Sequence, residues 1–395
     1  MRSLNISIKE NQSATDFLDK LLKEATALRA SDIHIDPTEN KLRVRLRIDG
    51  ILYDVADVPV SRQSEIISRI KILSSLRIDE HNAAQDGRFR FFSDDKNPVD
   101  VRVSILPTYY GENAILRLLS DKQDVLDLDN LGFGENDIQK IRKAITKTGG
   151  MILVTGPTGS GKTTTLYAIL KALNKKDVSI VTIEEPIEYA ISGIRQIQVN
   201  SRGGLTFGSG LRSILRQDPN IIMVGEIRDR ETASLATNAA LTGHLLLSTL
   251  HTNDASSTMP RLIDMGVEPF LLASTFNLAI NQRLVRRICS NCKTPRQKIS
   301  FVFSPDYLKN WSEKTFFYGK GCKECNFTGY RGRLVINEIL STSEEIKDAI
   351  LKKQSAHQVK KSAQNEGFET LLEDGLAKVS KGLTSLEEVL RVIHD

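Results

Sequence analysis

The chain has 395 residues, 40% of them hydrophobic, which allows roughly two or three folded domains and argues against a largely disordered protein. Its 54 basic and 49 acidic residues leave a net charge of +5, too small an excess to imply nucleic acid by itself. No apolar run approaches the ~20 residues that span a bilayer, and Met1 to Glu10 holds no signal-peptide core, so a cytoplasmic protein is expected.

Thr15 to Leu28 repeats apolar positions at helical spacing (Phe17, Leu18, Leu21, Leu22, Ala25, Leu28) and predicts an amphipathic helix. Ala30 to Pro37 alternates like a strand, and Lys41 to Ile48 does so more clearly. Leu42, Val44, Leu46 and Ile48 share one face, and Lys41, Arg43, Arg45 and Arg47 share the other, before an Asp49-Gly50 hairpin turn. That basic face is either a solvated sheet surface or one that meets phosphates or an acidic neighbour. A helix is expected over Ser64 to Leu76, with Ile66, Ile67, Ile70, Ile72 and Leu73 as its apolar positions. Gln85 to Arg88 is a turn-to-strand signal, and Asp100–Thr108 and Ala114–Leu119 read as strands. These elements predict a compact α/β domain over 1–120, followed by a polar linker at 121–131.

The strongest signal lies further on. The apolar run Met151 to Val154 reads as a buried strand, and a helical pattern follows through Leu166, Ile169 and Leu170. Between them stands Gly156-Pro157-Thr158-Gly159-Ser160-Gly161-Lys162-Thr163-Thr164, a G-x-x-x-x-G-K-[ST] phosphate loop in the strand–helix context that such loops require. The glycines let backbone N–H groups turn toward phosphate oxygens, and the helix N-terminus adds partial positive charge. Lys162 is expected to reach the β and γ phosphates of ATP, and the Thr163 hydroxyl to bind magnesium.

Val178 to Ile183 is a β-branched run suited to a buried parallel strand, and it leads into Glu184 and Glu185. Carboxylates at the carboxyl end of such a strand lie where ligands bind, so both are candidates for positioning magnesium or water. Ile221 to Val224 is a second such strand, followed by Glu226, the candidate for polarising the attacking water. Leu245 to Leu250 is a third, flanked by His244 and His251, candidates for sensing the γ-phosphate or relaying its loss. Strand–helix alternation with these sites predicts a doubly wound core over 132–288. No arginine of this core stands out as a finger for its own site, and phosphoryl transfer commonly uses one, in cis or in trans.

All 4 cysteines fall in two C-x-x-C pairs, Cys289/Cys292 and Cys322/Cys325. Four thiolates in this pattern suit tetrahedral zinc with no open position, hence a structural ion over 289–333, with a redox dithiol as the alternative. Arg283, Arg286 and Arg287 before the pairs, and Arg331 and Arg333 after them, keep nucleic-acid binding open. The remainder, 334–395, is expected to be a helical subdomain, since Ser343 to Asp395 is amphipathic at helical spacing.

These residues resemble the secretion ATPases of bacterial type II secretion and type IV pilus assembly. Ala30-Ser-Asp-Ile-His-Ile-Asp-Pro37 and Arg45-Leu-Arg-Ile-Asp-Gly50 resemble that family's N-terminal signatures. Gly156 to Thr163 resembles its Walker A loop, Thr182 to Tyr189 its Asp box, Leu215 to Asp229 its Walker B region, and Thr242 to Ala255 its His box. The resemblance runs over nearly the whole chain and implies a RecA-like ATPase core, with ATP and magnesium held between domains of a homo-hexamer that couples hydrolysis to assembly of a pilus or pseudopilus. It also implies an inner-membrane platform partner and a peripheral location at that membrane. Glu226 carries over as the catalytic glutamate. Arg88 and Arg102, and after them Arg117, carry over as the arginines that approach the nucleotide from the N-terminal domain. The cysteine pairs with Thr328 to Arg333 resemble the zinc subdomain of the secretion and extension branch, which the retraction ATPases lack.

Two features depart from the family pattern. Glu185 stands where the Asp box usually has aspartate, and the chain begins close to the first signature, whereas many relatives carry a preceding docking domain. A nucleic-acid motor, such as a helicase or a DNA-uptake translocase, is the second reading. It would use the basic N-terminal strand and the zinc knuckle.

Overall fold

The computed structural model describes residues 13–92, 98–120, 127–296 and 315–394. Residues 121–126 of the expected linker and 297–314 between the cysteine pairs lie outside them. The chain divides into two compact units, Met1–Lys122 and Gln123–Asp395.

In the first unit, α1 (Ala14–Ala27) starts where the Ser13 side chain accepts a hydrogen bond from the Asp16 N–H, an N-cap that satisfies one orphan donor. The strands β1 (Ala30–Pro37), β2 (Lys41–Ile48) and β3 (Ile51–Pro59) follow, then α2 (Gln63–Leu73), β4 (Gln85–Phe92), β5 (Pro98–Thr108) and β6 (Gly111–Ser120). They form one six-stranded sheet in the order β3-β2-β1-β6-β5-β4, antiparallel throughout. Phe17, Leu18, Leu21 and Leu22 of α1 and Ile66, Ile67 and Ile70 of α2 pack on the apolar face supplied by Leu42, Val44, Leu46, Val101, Val103 and Leu116.

The β2–β3 turn places Asp49 at φ 49° and Gly50 at φ 90°, both left-handed as a two-residue type I′ turn requires. β3 has no counterpart in the sequence reading. A register break between Val44 and Arg45 disturbs its alternation, so no period-two pattern marks it. α2 ends three residues before the expected Leu76. Ser75 turns left-handed and the Leu76 N–H returns to the Lys71 carbonyl, which leaves Ile72 56% exposed.

The second unit runs α3 (Glu135–Ile145), β7 (Gly150–Thr155), α4 (Lys162–Leu173), β8 (Ile180–Glu184), β9 (Arg195–Gln198), α5 (Phe207–Ile214), β10 (Ile221–Val224), α6 (Arg230–Leu241) and β11 (Leu245–Leu250). It continues with α7 (Thr258–Asp264), α8 (Pro269–Thr275), β12 (Phe276–Ile288), β13 (Lys293–Arg296), β14 (Phe316–Gly319), β15 (Tyr330–Ser341), α9 (Glu344–Leu351), α10 (Ala356–Asn365), α11 (Leu371–Ser380) and α12 (Leu386–His394). Seven strands form its main sheet, ordered β15-β12-β7-β11-β10-β8-β9 and parallel except for β15 at one edge. Every residue of β7, β8, β10 and β11 is buried, as befits parallel strands covered on both faces. One face packs Ile141 of α3 and Leu166, Ile169 and Leu170 of α4, and the other packs Leu211, Ala233, Ala236, Leu262 and Leu272 of α5 to α8.

The boundary expected at 333/334 falls inside β15, because Leu334 to Leu340 continues the core sheet along β12 before the helices begin. Leu376, Val379, Leu386 and Val389 of α11 and α12 then bury against Val285, Leu334 and Ile336 of that strand pair. Among the described residues no helix is long and apolar enough to cross a membrane.

Candidate functional site

The phosphate loop leaves the carboxyl end of β7 and enters α4. Gly156 (φ 134°) could not carry a side chain, since a Cβ there would lie 2.5 Å from the Gln282 carbonyl. Gly161 (φ 88°) is the N-cap of α4 and brings no side-chain hydrogen bond to it, so the first-turn N–H groups are left to whatever binds there. Lys162 Nζ donates to the carbonyls of Gly156 (2.8 Å) and Pro157 (2.9 Å), and burial holds its ammonium below the ordinary lysine value while the nearby Glu226 charge opposes that shift. The buried Ser160 Oγ has no hydrogen-bond partner, and Thr163 and Thr164 are half-buried at the start of the helix. Pro157, Thr158 and Gly159 form the exposed crest of the loop. Free N–H groups, an unpartnered hydroxyl and a lysine resting on loop carbonyls suit an incoming polyanion.

β12 runs parallel to β7 with Asn281 opposite Thr155, which brings Asn281, Gln282 and Arg283 to the loop. Gln282 Nε2 donates to the Ser160 carbonyl (2.8 Å) and its Oε1 accepts from Thr165 (2.9 Å), while Asn281 Nδ2 donates to Thr155 Oγ1 (2.9 Å). Arg283 donates to the carbonyls of Gln282 and Asn253. Sequence reasoning missed Asn281 and Gln282, and it grouped Arg283 and Arg286 with the cysteine pairs. The structure puts Arg283 beside the loop, and Arg286 is held by Glu388 (2.7 Å) and over the Tyr330 ring (4.1 Å).

Glu226 follows β10, with its side chain 13% exposed. Its Oε1 lies 2.5 Å from Arg228 Nη2 and its Oε2 lies 3.8 Å from His251 Nε2. Burial, then the charge of Lys162, hold the His251 imidazole below the ordinary histidine value, so it stands beside Glu226 as a neutral ring near pH 7. Glu185 Oε2 is 3.5 Å from Arg228 Nη1. The core therefore contains two arginines at the site, Arg228 and Arg283, where none was anticipated.

Two candidates lie apart from this group. Glu184 is buried and accepts hydrogen bonds from Tyr167, Thr182 Oγ1 (2.5 Å) and Gln196 Nε2 (3.1 Å). Burial and the Glu184 charge raise the Tyr167 phenol, which keeps it protonated and donating. Glu184 thus ties the sheet to α4, and its oxygens are taken up by those donors. His244 precedes β11, whose first residue pairs with Gly150 and whose last pairs with Thr155, so it sits at the edge opposite the phosphate loop. Its Nδ1 rests on the Ala239 carbonyl (3.0 Å) and Thr242 Oγ1 (3.1 Å) at the end of α6. The parallel direction of β11 decides this: a strand has one carboxyl end, and only His251 is on it.

In the first unit, Arg88, Arg102, Arg117, Asp32 and Arg47 stand directly opposite one another on β4, β5, β6, β1 and β2. Residues in such register point to the same side, here the face away from the buried valines. Asp32 is the one acid in the row and meets Arg117 Nε at 2.9 Å and Arg47 Nε at 3.6 Å. Elsewhere the β2 face is matched by neighbouring strands, Lys41 to Asp57 (2.5 Å) and Arg45 to Asp36 (2.8 Å), so most of its charge is spent within the sheet.

The four cysteine sulfurs lie within 4.8 Å of one another, with 3.8 Å between Cys289 and Cys322, between Cys292 and Cys325, and between Cys322 and Cys325. A tetrahedral metal with bonds to sulfur of about 2.3 Å has edges of about 3.8 Å, so these residues could hold a metal ion. N–H groups of Asn291 Nδ2 (3.4 Å to Cys322), Cys322 (3.2 Å to Cys325) and Gly329 (3.3 Å to Cys325) point at the sulfurs, and burial pushes the Cys292 thiol up to about 12. The Asn291 contact leads in drawing Cys322 down to about 6.

The profile of the type II/IV secretion system protein family matches residues 7–391. The chain is 45% identical over 388 residues to the type IV pilus assembly ATPase PilB of Thermus thermophilus, covering 96% of this chain and 43% of that protein. It is 44% identical over 383 residues to the type II secretion system protein E of Xanthomonas campestris, covering 95% and 66%. The chain thus spans 43% to 66% of the length of these relatives. Among solved structures, the pilus retraction motor PilT with bound ADP matches at TM-score 0.63 and 26% identity, over 95% of this chain and 96% of that one. The ATPase DotB of Legionella pneumophila shares the fold at TM-score 0.71 and 24% identity, over 98% of each chain. With the phosphate loop, Glu226 and the tetracysteine cluster in their places, the chain belongs to the type II/IV secretion system protein family.

Proposed function

We propose that the chain is a cytoplasmic ATPase that works as a homo-hexamer peripheral to the inner membrane and drives pilus or pseudopilus assembly through a platform protein there. The observation that carries the ATPase reading is the grouping of Lys162, Glu226 and His251 at one edge of the parallel sheet beside the phosphate loop. The loop N–H groups and Lys162 would bind the phosphates, and Glu226 would take the proton of the attacking water. Thr163 would hold magnesium, which supplies positive charge to the phosphate oxygens when bound. His251, neutral and against Glu226, is positioned to respond when the γ-phosphate leaves. We further propose that Arg88 and Arg102 bring the remaining positive charge from the first unit of a neighbouring copy. Support comes from the strand register, which stands Arg88 directly opposite Arg102 on one face of the first unit's sheet. The cysteine cluster is proposed to hold one structural zinc.

The experiment is magnesium-dependent ATP turnover by the purified chain, with and without single- or double-stranded DNA. The reading expects turnover that DNA leaves unchanged. DNA stimulation that falls away with salt, as phosphate contacts require, would favour the nucleic-acid motor instead. No turnover in any condition would overturn the enzymatic reading.

A further inference from the structure

Arg228 lies on the short connection between β10 and α6, two residues beyond Glu226. Its side chain is 62% exposed, yet both ends of its guanidinium are engaged, Nη2 by Glu226 and Nη1 by Glu185. These carboxylates follow β10 and β8, neighbouring parallel strands with Val224 opposite Ile183. Two like charges at adjacent strand ends repel, and a planar guanidinium is the side chain best shaped to join them. The bond to Glu226 fixes which oxygen is committed. Oε1 is held by Arg228, and Oε2 is left facing His251.

We propose that Arg228 is a positioning residue that fixes the Glu226 carboxylate with Oε2 presented to the attacking water, and that Glu185 acts through Arg228 rather than on the magnesium or the phosphates. This rests on the ATPase reading above. It also gives the glutamate at the Asp-box position a use: its carboxylate lies 3.5 Å from Arg228 Nη1, within ion-pair range. The ion pair is open to solvent, so its worth lies in aiming Glu226 and little in folding stability.

The test compares wild type, Arg228→Gln, Arg228→Lys, Glu185→Gln and the Arg228→Gln/Glu185→Gln double variant. Each is measured for ATP kcat and KM and for binding of a fluorescent ATP analogue. Misaiming a catalytic group is expected to lower kcat of Arg228→Gln about ten- to a hundredfold, with analogue affinity within about threefold of wild type. Arg228→Lys keeps one charged contact and should recover part of the loss. Glu185→Gln should cost less than Arg228→Gln, and the double variant should be no slower than Arg228→Gln alone, the non-additivity of residues acting in series.

Three results would overturn the proposal with wild-type turnover intact. One is an unchanged kcat in Arg228→Gln. Another is a loss of analogue affinity of about tenfold or more, which would make Arg228 a phosphate contact. The third is additive losses in the double variant. Absence of turnover in the wild type would instead overturn the ATPase reading, and this inference with it.

Discussion

Glu226→Gln binds ATP and does not hydrolyse it. The expected fall in kcat is about a hundred- to ten-thousandfold, the range that a positioned general base contributes. Glutamine keeps the length of the side chain and an oxygen for Arg228, so the surroundings should stay in place. It cannot take a proton, and it withdraws a negative charge from the neighbourhood of Lys162. Affinity for a fluorescent ATP analogue should therefore hold or rise as turnover disappears. Turnover within about threefold of wild type would remove Glu226 from its role.

The second large effect belongs to the cysteines. The wild-type chain should contain one zinc per molecule by elemental analysis, and Cys289→Ser should contain little or none. Cys289 and Cys325 are buried, and β13 and β14 form a separate two-stranded sheet beside the cluster, with the small apolar core of α11 and α12 reaching only Phe316 of that pair. A region this small draws much of its folding free energy from the metal, which in isolated zinc modules amounts to about 10 kcal/mol or more. Chelation or Cys289→Ser should thus open 289–333 to proteolysis while the parallel core stays resistant. A metal-free wild type with the same resistance would contradict the assignment of zinc.

The elements legible in the sequence are those whose pattern is local. The phosphate loop, the apolar strands ending at Glu184, Glu226 and His251, and the alternating β2 each announce themselves within ten or so residues. The long pair β12 and β15 does not, because Asn277, Asn281, Gln282, Asn337 and Glu338 interrupt its apolar runs and look like loop residues. All five are buried, and their partners are far away in sequence. Asn277 meets Gly149, Asn281 meets Thr155, Gln282 meets Ser160, Asn337 meets Asp137, and Glu338 accepts from the N–H groups of Ala255 and Leu371. Composition marks such residues as polar and says nothing of a satisfied partner that lies from 33 to 200 positions off. The same limit hid Arg228, whose value lies in a carboxylate from another strand. It also made His244 and His251 look equivalent, since strand direction relative to the sheet is a property of the assembled fold.

We propose that the phosphate loop is half of a site, completed by the arginine row of another copy. The direct measurement is ATP turnover of mixed assemblies of Arg88→Ala and Glu226→Gln chains, each expected to be inactive alone. If the completing arginine comes from a neighbour, random mixing in equal amounts restores about a quarter of the wild-type rate, the share of interfaces that keep both residues. No recovery at any ratio, with exchange of subunits verified, would contradict it.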